Sequence, residues 1–368
     1  MKLHCDREKL LEAMQTCQRA ISGKSMLPIL SGILFKTENN SLVLSATDLE
    51  ISIRTEVEVE AKEQGNMVIP ARLVMDILNS LENEKVEFVS TGETGPMEIM
   101  AGDSKFSLSI QQEEDFPKIP EAGEKPSCEI AGAEFTRATR EVVKAASRDE
   151  SKPVLTGVLV EITKDMLKMV ATDSYRLAVY ETKISDGPTD TINIIVPARS
   201  LRELNRILSA AESKRVSVSL TENQVIFKAG SVEMISRLID GEFPNHKQII
   251  PEGYEKIIKM DKNKALGSIK RVAILAQNNA PIKMTATNNT IVVSASTQDV
   301  GEAIERFEAE YSGEEVKIAF NPDYLLDGIS SVEEDAFALE ITDPLKPAMI
   351  KPVEDKTFQY LIMPVRLT

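Results

Sequence analysis

Apolar and polar residues alternate at the start of the chain. Met1, Leu3 and Cys5 are apolar and their neighbours are polar, the period of a half-buried strand. The period then lengthens. Leu10, Met14, Cys17 and Ile21 recur at helical spacing and predict an amphipathic helix. β-rich segments follow, punctuated by turn signals such as Glu38-Asn39-Asn40 and, much later, Asn288-Asn289. A Pro70-Ala71-Arg72 turn leads into a second helix, whose expected apolar stripe is Leu73, Val74, Ile77, Leu78 and Leu81. More strands close the unit. The predicted order is β-α-ββββ-α-ββ, an α+β arrangement with helices on one face of antiparallel sheets.

That unit recurs. Pro28, Leu30, Gly32 and Thr47-Asp48 are matched by Pro153, Leu155, Gly157 and Thr172-Asp173, each at an offset of 125 residues. Ile69-Pro70-Ala71-Arg72 matches Val196-Pro197-Ala198-Arg199, and Phe116-Pro117 matches Phe243-Pro244, both at an offset of 127. A fainter third copy follows. Ala280-Pro281-Ile282 opens it, Ile291–Ser296 stands where the earlier LVLSAT and LKMVAT strands stand, and Phe320-Asn321-Pro322-Asp323 replaces the Pro-Ala-Arg turn. A period this long describes repeated domains rather than a solenoid. Pro-, Gly- and Glu-rich segments place the boundaries at 1–125, 126–251 and 252–368.

The chain of 368 residues has a net charge of −15, which by itself argues against a nucleic-acid partner. Position changes that picture. Arg137, Arg140, Lys144 and Arg148 fall on one face of the second copy's first predicted helix. Arg199, Arg202 and Arg206 do the same on its second helix. Lys264, Lys270 and Arg271 echo the stripe in the third copy, and Arg7, Arg19, Lys24 and Arg72 in the first, diluted by Glu8 and Glu12. The helix after Pro322 breaks the trend with Asp323 and Asp327. Acid is concentrated elsewhere, at Glu56–Glu60, Glu113-Glu114-Asp115 and Glu308–Glu315. One such stripe is ordinarily a solvated face. Stripes on corresponding helices of repeated domains point to a shared surface for a polyanion.

Catalytic patterns are missing. His4 and His246 stand alone, and no metal-ligand spacing occurs. Gly23-Lys24-Ser25 imitates the end of a phosphate-binding loop, but Gln18 stands where that motif requires glycine. Asp48 and Asp173 recur in Thr-Asp turns, where aspartate ordinarily bonds backbone. Cys5, Cys17 and Cys128 are an odd set without ligand spacing and read as buried free thiols, which suits a reducing compartment. The start MKLHCDREKL lacks the apolar stretch of a signal peptide, and no run approaches the roughly 18 apolar residues of a membrane span. A cytoplasmic binding scaffold without cofactor or metal is expected.

The segments LPILSGIL, SATDLEIS, ATDSYRLAVYE, EFPNHKQIIP and YLIMPVRL together resemble the bacterial sliding clamps, the beta subunits of DNA polymerase III. The resemblance runs from end to end. It implies three clamp domains per chain and a head-to-tail homodimer that closes as a ring. Basic helices would line the hole around duplex DNA, and antiparallel sheets would form the outside. Such a ring holds DNA through the backbone, without reading sequence. The resemblance also implies a hydrophobic peptide groove at Leu155, Thr172, Ser174, Tyr175, Arg176, Leu177, Pro244, Ile249, Leu345, Leu361, Ile362, Met363, Pro364, Val365 and Arg366. The implied partners are the polymerase III alpha subunit, the clamp loader and other proteins with clamp-binding motifs, among them repair polymerases, ligase and mismatch-repair proteins.

Carried over to DNA contact are Lys24, Arg72 and Arg199, to which the stripes add Lys144, Arg148, Arg202 and Arg206. The implied dimer contact sets Phe106 and Leu108 against Ile274 and Leu275, with Lys105 pairing with Glu302 or Glu305. Asp149, Pro153 and Val154 depart from the amide and aromatic side chains that touch DNA in some clamps, and Tyr175 and Val365 vary the groove. Two other readings stand beside this one. One is an enzyme using Asp48 or Asp173 as its carboxylate; the other is a peptide adaptor with no DNA role.

Overall fold

The computed structural model describes residues 1–22, 27–90, 95–120, 126–210, 213–251, 253–277 and 280–366. The expected repeat is present, with two corrections, the first being that the first copy has five strands between its helices where four were expected, the extra one the short Glu60–Glu63. Helices α1 (Arg7–Gln18), α2 (Ala71–Ser80), α3 (Gly132–Val142), α4 (Ala198–Ala210), α5 (Lys262–Ala273) and α6 (Pro322–Ser331) fall two to each copy. Three strands, not two, close each copy, the third being Ser104–Leu108, Val232–Arg237 and Phe358–Ile362. Ser104–Leu108 escapes the periodicity because only Phe106 and Leu108 are apolar in it.

Short side chains set where the helices begin. Asp6 accepts from the Lys9 amide at 2.9 Å and caps α1. Asp261 does the same for α5 through the Lys264 amide at 2.8 Å. Asn321 caps α6 through the amides of Asp323 and Tyr324. In α2 the buried residues are Ala71, Val74, Met75, Ile77 and Leu78. Leu73, expected in the stripe, is exposed, and Met75 faces inward instead.

The described chain separates into two compact units, one of Met1–Ala133 with Glu203–Leu238 and one of Glu134–Arg202 with Ile239–Thr368. The second copy is therefore divided, and sheet pairing explains why. In the first unit an eight-stranded sheet joins two copies through strand Val232–Arg237, which pairs with Ile51–Glu58. In the second unit a twelve-stranded sheet forms in the same way, as Phe358–Ile362 pairs with Arg176–Lys183. The two junctions share one register. Ser236 lies opposite Ile51 and Ile362 lies opposite Arg176; Ile51 and Arg176 are 125 residues apart and Ser236 and Ile362 are 126 apart. A separate five-stranded sheet completes the first unit, with Ser104–Leu108 at one edge.

Two repeated features have a direct cause. A Cβ on Gly32 would come within 2.4 Å of Val68 Cγ1, and one on Gly157 within 2.5 Å of Ile195 Cγ2, so both sites need glycine where a strand crosses its neighbour. The three cysteines are free and buried, as expected. Among the described residues no helix is long and apolar enough to cross a membrane.

Candidate functional site

The Thr-Asp turns are the same device twice. Thr47 Oγ1 donates to the Ile51 carbonyl at 3.1 Å, and Thr172 Oγ1 to the Arg176 carbonyl at 2.6 Å. Asp48 Oδ1 accepts from the amides of Glu50 and Ile51, and Asp173 Oδ1 from those of Tyr175 and Arg176. Leu49 and Ser174 sit at φ of 76° and 82° in the two turns. Each aspartate thus holds a tight turn by its backbone, which leaves the enzyme reading without its carboxylate.

What surrounds the second turn is different. Leu177 pairs with Leu361 across the sheet, and both join a buried cluster with Leu159, Val170, Val179, Ile195 and Met349. Val154, Ile239, Phe243, Ile250 and Tyr254 pack against it. Beyond Ile362 the Met363 amide donates to the Tyr175 carbonyl at 2.9 Å, and the Val365 amide to the Ala319 carbonyl at 2.8 Å. Thr172–Leu177 and Leu361–Val365, read separately in the sequence, are therefore brought side by side. Leu155, Thr172, Arg176, Leu177, Leu361 and Ile362 are buried, whereas Ser174, Pro244, Arg366 and the apolar side chains of Tyr175, Ile249, Leu345, Met363 and Val365 are exposed. Pro364 is half-buried. Pro244 and Ile249 are chain neighbours of Phe243 and Ile250, which reach the cluster, and Leu345 tips a turn closed by Lys346 on Asp343. An apolar floor with exposed apolar rim residues is suited to burying a short apolar peptide.

Arg176 does not line that surface. It is 7% exposed and lies at 2.9 Å from Asp173 Oδ2 and 2.7 Å from Asp327 Oδ2, with Nη1 also donating to the Tyr360 hydroxyl at 3.3 Å. Burial works against its charge, but Tyr360, Asp327 and Asp173 outweigh burial and hold its pKa above the ordinary value. Tyr324 and Asp327 belong to this cluster and were not expected there; in the sequence Asp327 reads only as a break in a basic stripe. A polar cavity of about 710 Å³ lies alongside, lined by Arg148, Asp149, Lys152, Asp173, Tyr175 and Asp327 among others.

The basic stripes are only partly as expected. On α4, Arg199, Arg202 and Arg206 are exposed while Leu201, Leu204 and Leu208 are buried, so that stripe stands. Arg206 also pairs with Glu203 at 2.6 Å. Arg72 is exposed at the second residue of α2, where Arg199 stands in α4. Lys24, with the Gly23-Lys24-Ser25 pattern, lies outside the described residues. In the third copy Lys264 pairs with Glu308 at 3.3 Å, and Arg271 grips Glu305 through two bonds of 2.6 and 2.9 Å.

The stripe on α3 needs correction. The helix ends at Val142, a 3-10 turn takes Val143–Ala145, and exposed Arg148 follows on a loop rather than on the helix face. Lys144 is half-buried and donates to the exposed Ser330 hydroxyl at 2.8 Å, and burial lowers its pKa. Arg140 pairs with Glu333 at 2.6 Å. Arg137 reaches Glu141 at 2.9 Å and Glu333 at 2.7 Å, also binds Asp355, and lies over the Tyr180 ring.

Burial pushes the Glu141 carboxyl up to about 7 against the pull of Arg137. A carboxyl raised in the folded state contributes stability that is full below its unfolded pKa and is lost as pH rises through the folded value. Glu141→Gln is therefore expected to flatten the fall in stability between pH 5 and 8, by about 2 kcal/mol at one pKa unit per 1.36 kcal/mol. Unfolding midpoints in urea at the two pH values measure it; equal slopes in variant and parent would refute it.

Of the residues expected at a dimer contact, Lys105, Phe106 and Leu108 lie on one strand, Glu302 and Glu305 on another, and Ile274 and Leu275 follow the end of α5. Ser104–Leu108 pairs only with Met97–Ala101 among the described strands, and Lys105 bonds Glu98 at 2.8 Å. Gly301–Glu310 pairs along one side with Thr290–Thr297, but on the other, among the described residues, only Ala309 and Glu310 meet Lys259 and Met260. Beside that edge Ile274 is 70% exposed and Ile304 is 55% exposed. Leu275 is half-buried, Glu302 is exposed, and Glu305 is already held by Arg271.

Comparison with known proteins agrees along the whole chain. Three family models match: the N-terminal domain of the DNA polymerase III beta subunit over residues 1–120, its central domain over 129–245 and its C-terminal domain over 247–366. A beta sliding clamp from Streptomyces coelicolor is 32% identical over 378 residues, with all of both chains covered. One from Staphylococcus aureus is 30% identical over 377 residues, covering 100% of this chain and 99% of the relative. Among solved structures, the Bacillus subtilis DNA polymerase sliding clamp superposes with a TM-score of 0.94 at 29% identity, and the Thermotoga maritima DNA polymerase III beta subunit with 0.90 at 26%, each covering all of both chains.

Proposed function

The chain belongs to the DNA polymerase III beta subunit family, and on that premise we propose that it is a sliding clamp, a non-catalytic processivity factor that encircles duplex DNA. Its three clamp domains are 1–125, 126–251 and 252–368, and two chains join head to tail as a ring in the cytoplasm. The observation that carries this reading is the exposed arginine face of α4 on a strongly acidic chain. Arg72, Arg148, Arg199, Arg202 and Arg206 meet phosphates, with Lys24 and Lys144 as further candidates. Such contacts hold any sequence and permit sliding. Retention is chiefly topological, and weak phosphate contacts add to it.

The groove around Leu177, Leu361 and Met363 tethers partners by short apolar peptides. These partners are the polymerase III alpha subunit, the clamp loader, repair polymerases, ligase and mismatch-repair proteins. The support is the apolar floor of the groove and its exposed rim at the end of the chain.

The test loads the protein onto closed circular and linear DNA with a clamp loader. Retention on circles and rapid loss from linear DNA are expected; equal loss from both would refute the ring. Reversing Arg199, Arg202 and Arg206 to Glu is expected to shorten retention on circles and to lower the salt slope by about 2–3, at roughly 0.9 per phosphate. A parent chain that shows no retention on circles and a salt slope that the reversal leaves unchanged would favour the adaptor without a DNA role.

A further inference from the structure

The two junction turns have one register and one hydrogen-bonding scheme, yet only the second carries a buried arginine. At the first junction Ile51 stands where Arg176 stands at the second, and Glu50 where Tyr175 stands. The first turn closes through the same threonine and aspartate bonds, with isoleucine in the arginine's place. Arg176 is therefore not needed to make this turn. It is added at the one junction whose turn forms the groove rim, and a buried guanidinium is expensive to keep without partners.

Its partners lead across to α6. Asp327 takes Nη1 at 2.7 Å, and the guanidinium lies 4.3 Å from the centroid of the Tyr324 ring. The Tyr324 ring stacks on Tyr175, with centroids 6.3 Å apart and planes 24° apart. The Tyr360 hydroxyl, which accepts from Arg176, donates to the Tyr324 carbonyl at 2.9 Å. Tyr175 is thus stacked on a ring that the guanidinium underlies, although it is itself 62% exposed. Counted from the helix starts, the first-junction counterparts on α4 are Ser200 for Tyr324 and Glu203 for Asp327. The carboxylate recurs, but Glu203 faces Arg19 at 3.6 Å and Arg206 at 2.6 Å. Arginine under the turn and an aromatic shelf occur together only at the second junction.

We infer that Asp327 is a positioning residue of the peptide groove: it holds Arg176 under the Tyr324–Tyr175 stack and so presets the rim on which a partner peptide closes. The inference rests on the groove reading and names the residue that shapes it without touching the peptide. Asp327→Asn keeps the shape and removes the charge. Arg176 then retains Asp173 alone as a charged partner, the shelf loosens, and Tyr175 must be ordered when peptide binds.

The experiment is fluorescence polarisation with a labelled short peptide bearing neighbouring Leu and Phe side chains. Asp327→Asn is expected to weaken binding about tenfold, the scale of one disturbed charge pair near an interface. Asp327→Glu is expected to recover most of the affinity, since glutamate occupies the counterpart site. In a Tyr175→Ala background the Asp327→Asn loss is expected to shrink below about twofold, because coupled residues are not additive. Unchanged affinity in Asp327→Asn overturns the inference. So does an equal loss with and without Tyr175, or failure of Asp327→Glu to recover binding, since either marks a general structural effect. A parent chain that binds no such peptide removes the groove reading itself, and the positioning role with it.

Discussion

Removing the chain from Met363 onward is expected to abolish binding of apolar peptides while leaving the dimer intact. Met363 and Val365 are exposed apolar side chains held in place by backbone bonds to Tyr175 and Ala319. A peptide that covers both, together with the facing Leu177–Leu361 floor, gains roughly 1.5–3 kcal/mol for each large apolar side chain it buries. Losing two such contacts predicts about a hundredfold or greater drop in affinity. The strands Arg176–Lys183 and Phe358–Ile362 remain paired after the cut, so the unit keeps its core. The edges proposed for dimerisation are Ser104–Leu108 and Gly301–Glu310, neither of which includes the tail. Polarisation with a labelled peptide measures the first effect, and light scattering after size exclusion the second. Retained peptide binding would refute the groove; the mass of a single shortened chain would refute the separation of groove and dimer contact.

The parts legible in the sequence are those governed by local period. Alternation and helical spacing reveal the paired helices and the amphipathic face of α4, and collinear matches of residues reveal the repeat. What stayed hidden depends on partners far along the chain. Arg137 and Arg140 have the spacing of a solvated stripe, yet Glu333 and Asp355, some two hundred residues later, draw them into ion pairs. Asp327 looks like a fault in a basic face until Arg176 is placed beside it. Arg148 continues a helical count, but the backbone leaves the helix at the β-branched pair Val142-Val143, and Ala146 is extended at ψ 144°. The groove residues were legible only through resemblance, because the floor is assembled by pairing strand Arg176–Lys183 with the last strand of the next copy. Periodicity marks both as buried strands and says nothing of their adjacency.

Changing Ile274 and Ile304 to Lys together is expected to split the dimer and, with it, retention on circular DNA. Ile304 lies on, and Ile274 near, a strand that among the described residues pairs fully on one side only, and the Ser104–Leu108 strand is likewise open on one side. Open strand edges with exposed apolar neighbours are templates for pairing with another chain. Two different edges that meet head to tail give a ring when the rotation closes. Lysine at both positions places charge where desolvation is needed, and Phe106 and Leu108 of the other chain lose their apolar surface. With about 1.5–3 kcal/mol lost for each buried isoleucine, dimer affinity should fall at least a hundredfold. Of the two acidic residues first expected to meet Lys105, Glu302 is the available one, since Arg271 already grips Glu305. Glu302→Lys alone should therefore weaken the dimer more than Glu305→Gln does. Sedimentation of each variant across a concentration series measures the mass, and the loading assay on circles measures retention. A dimer that survives the double isoleucine change would place the contact elsewhere, and a monomer still retained on circles would show that retention does not depend on ring closure.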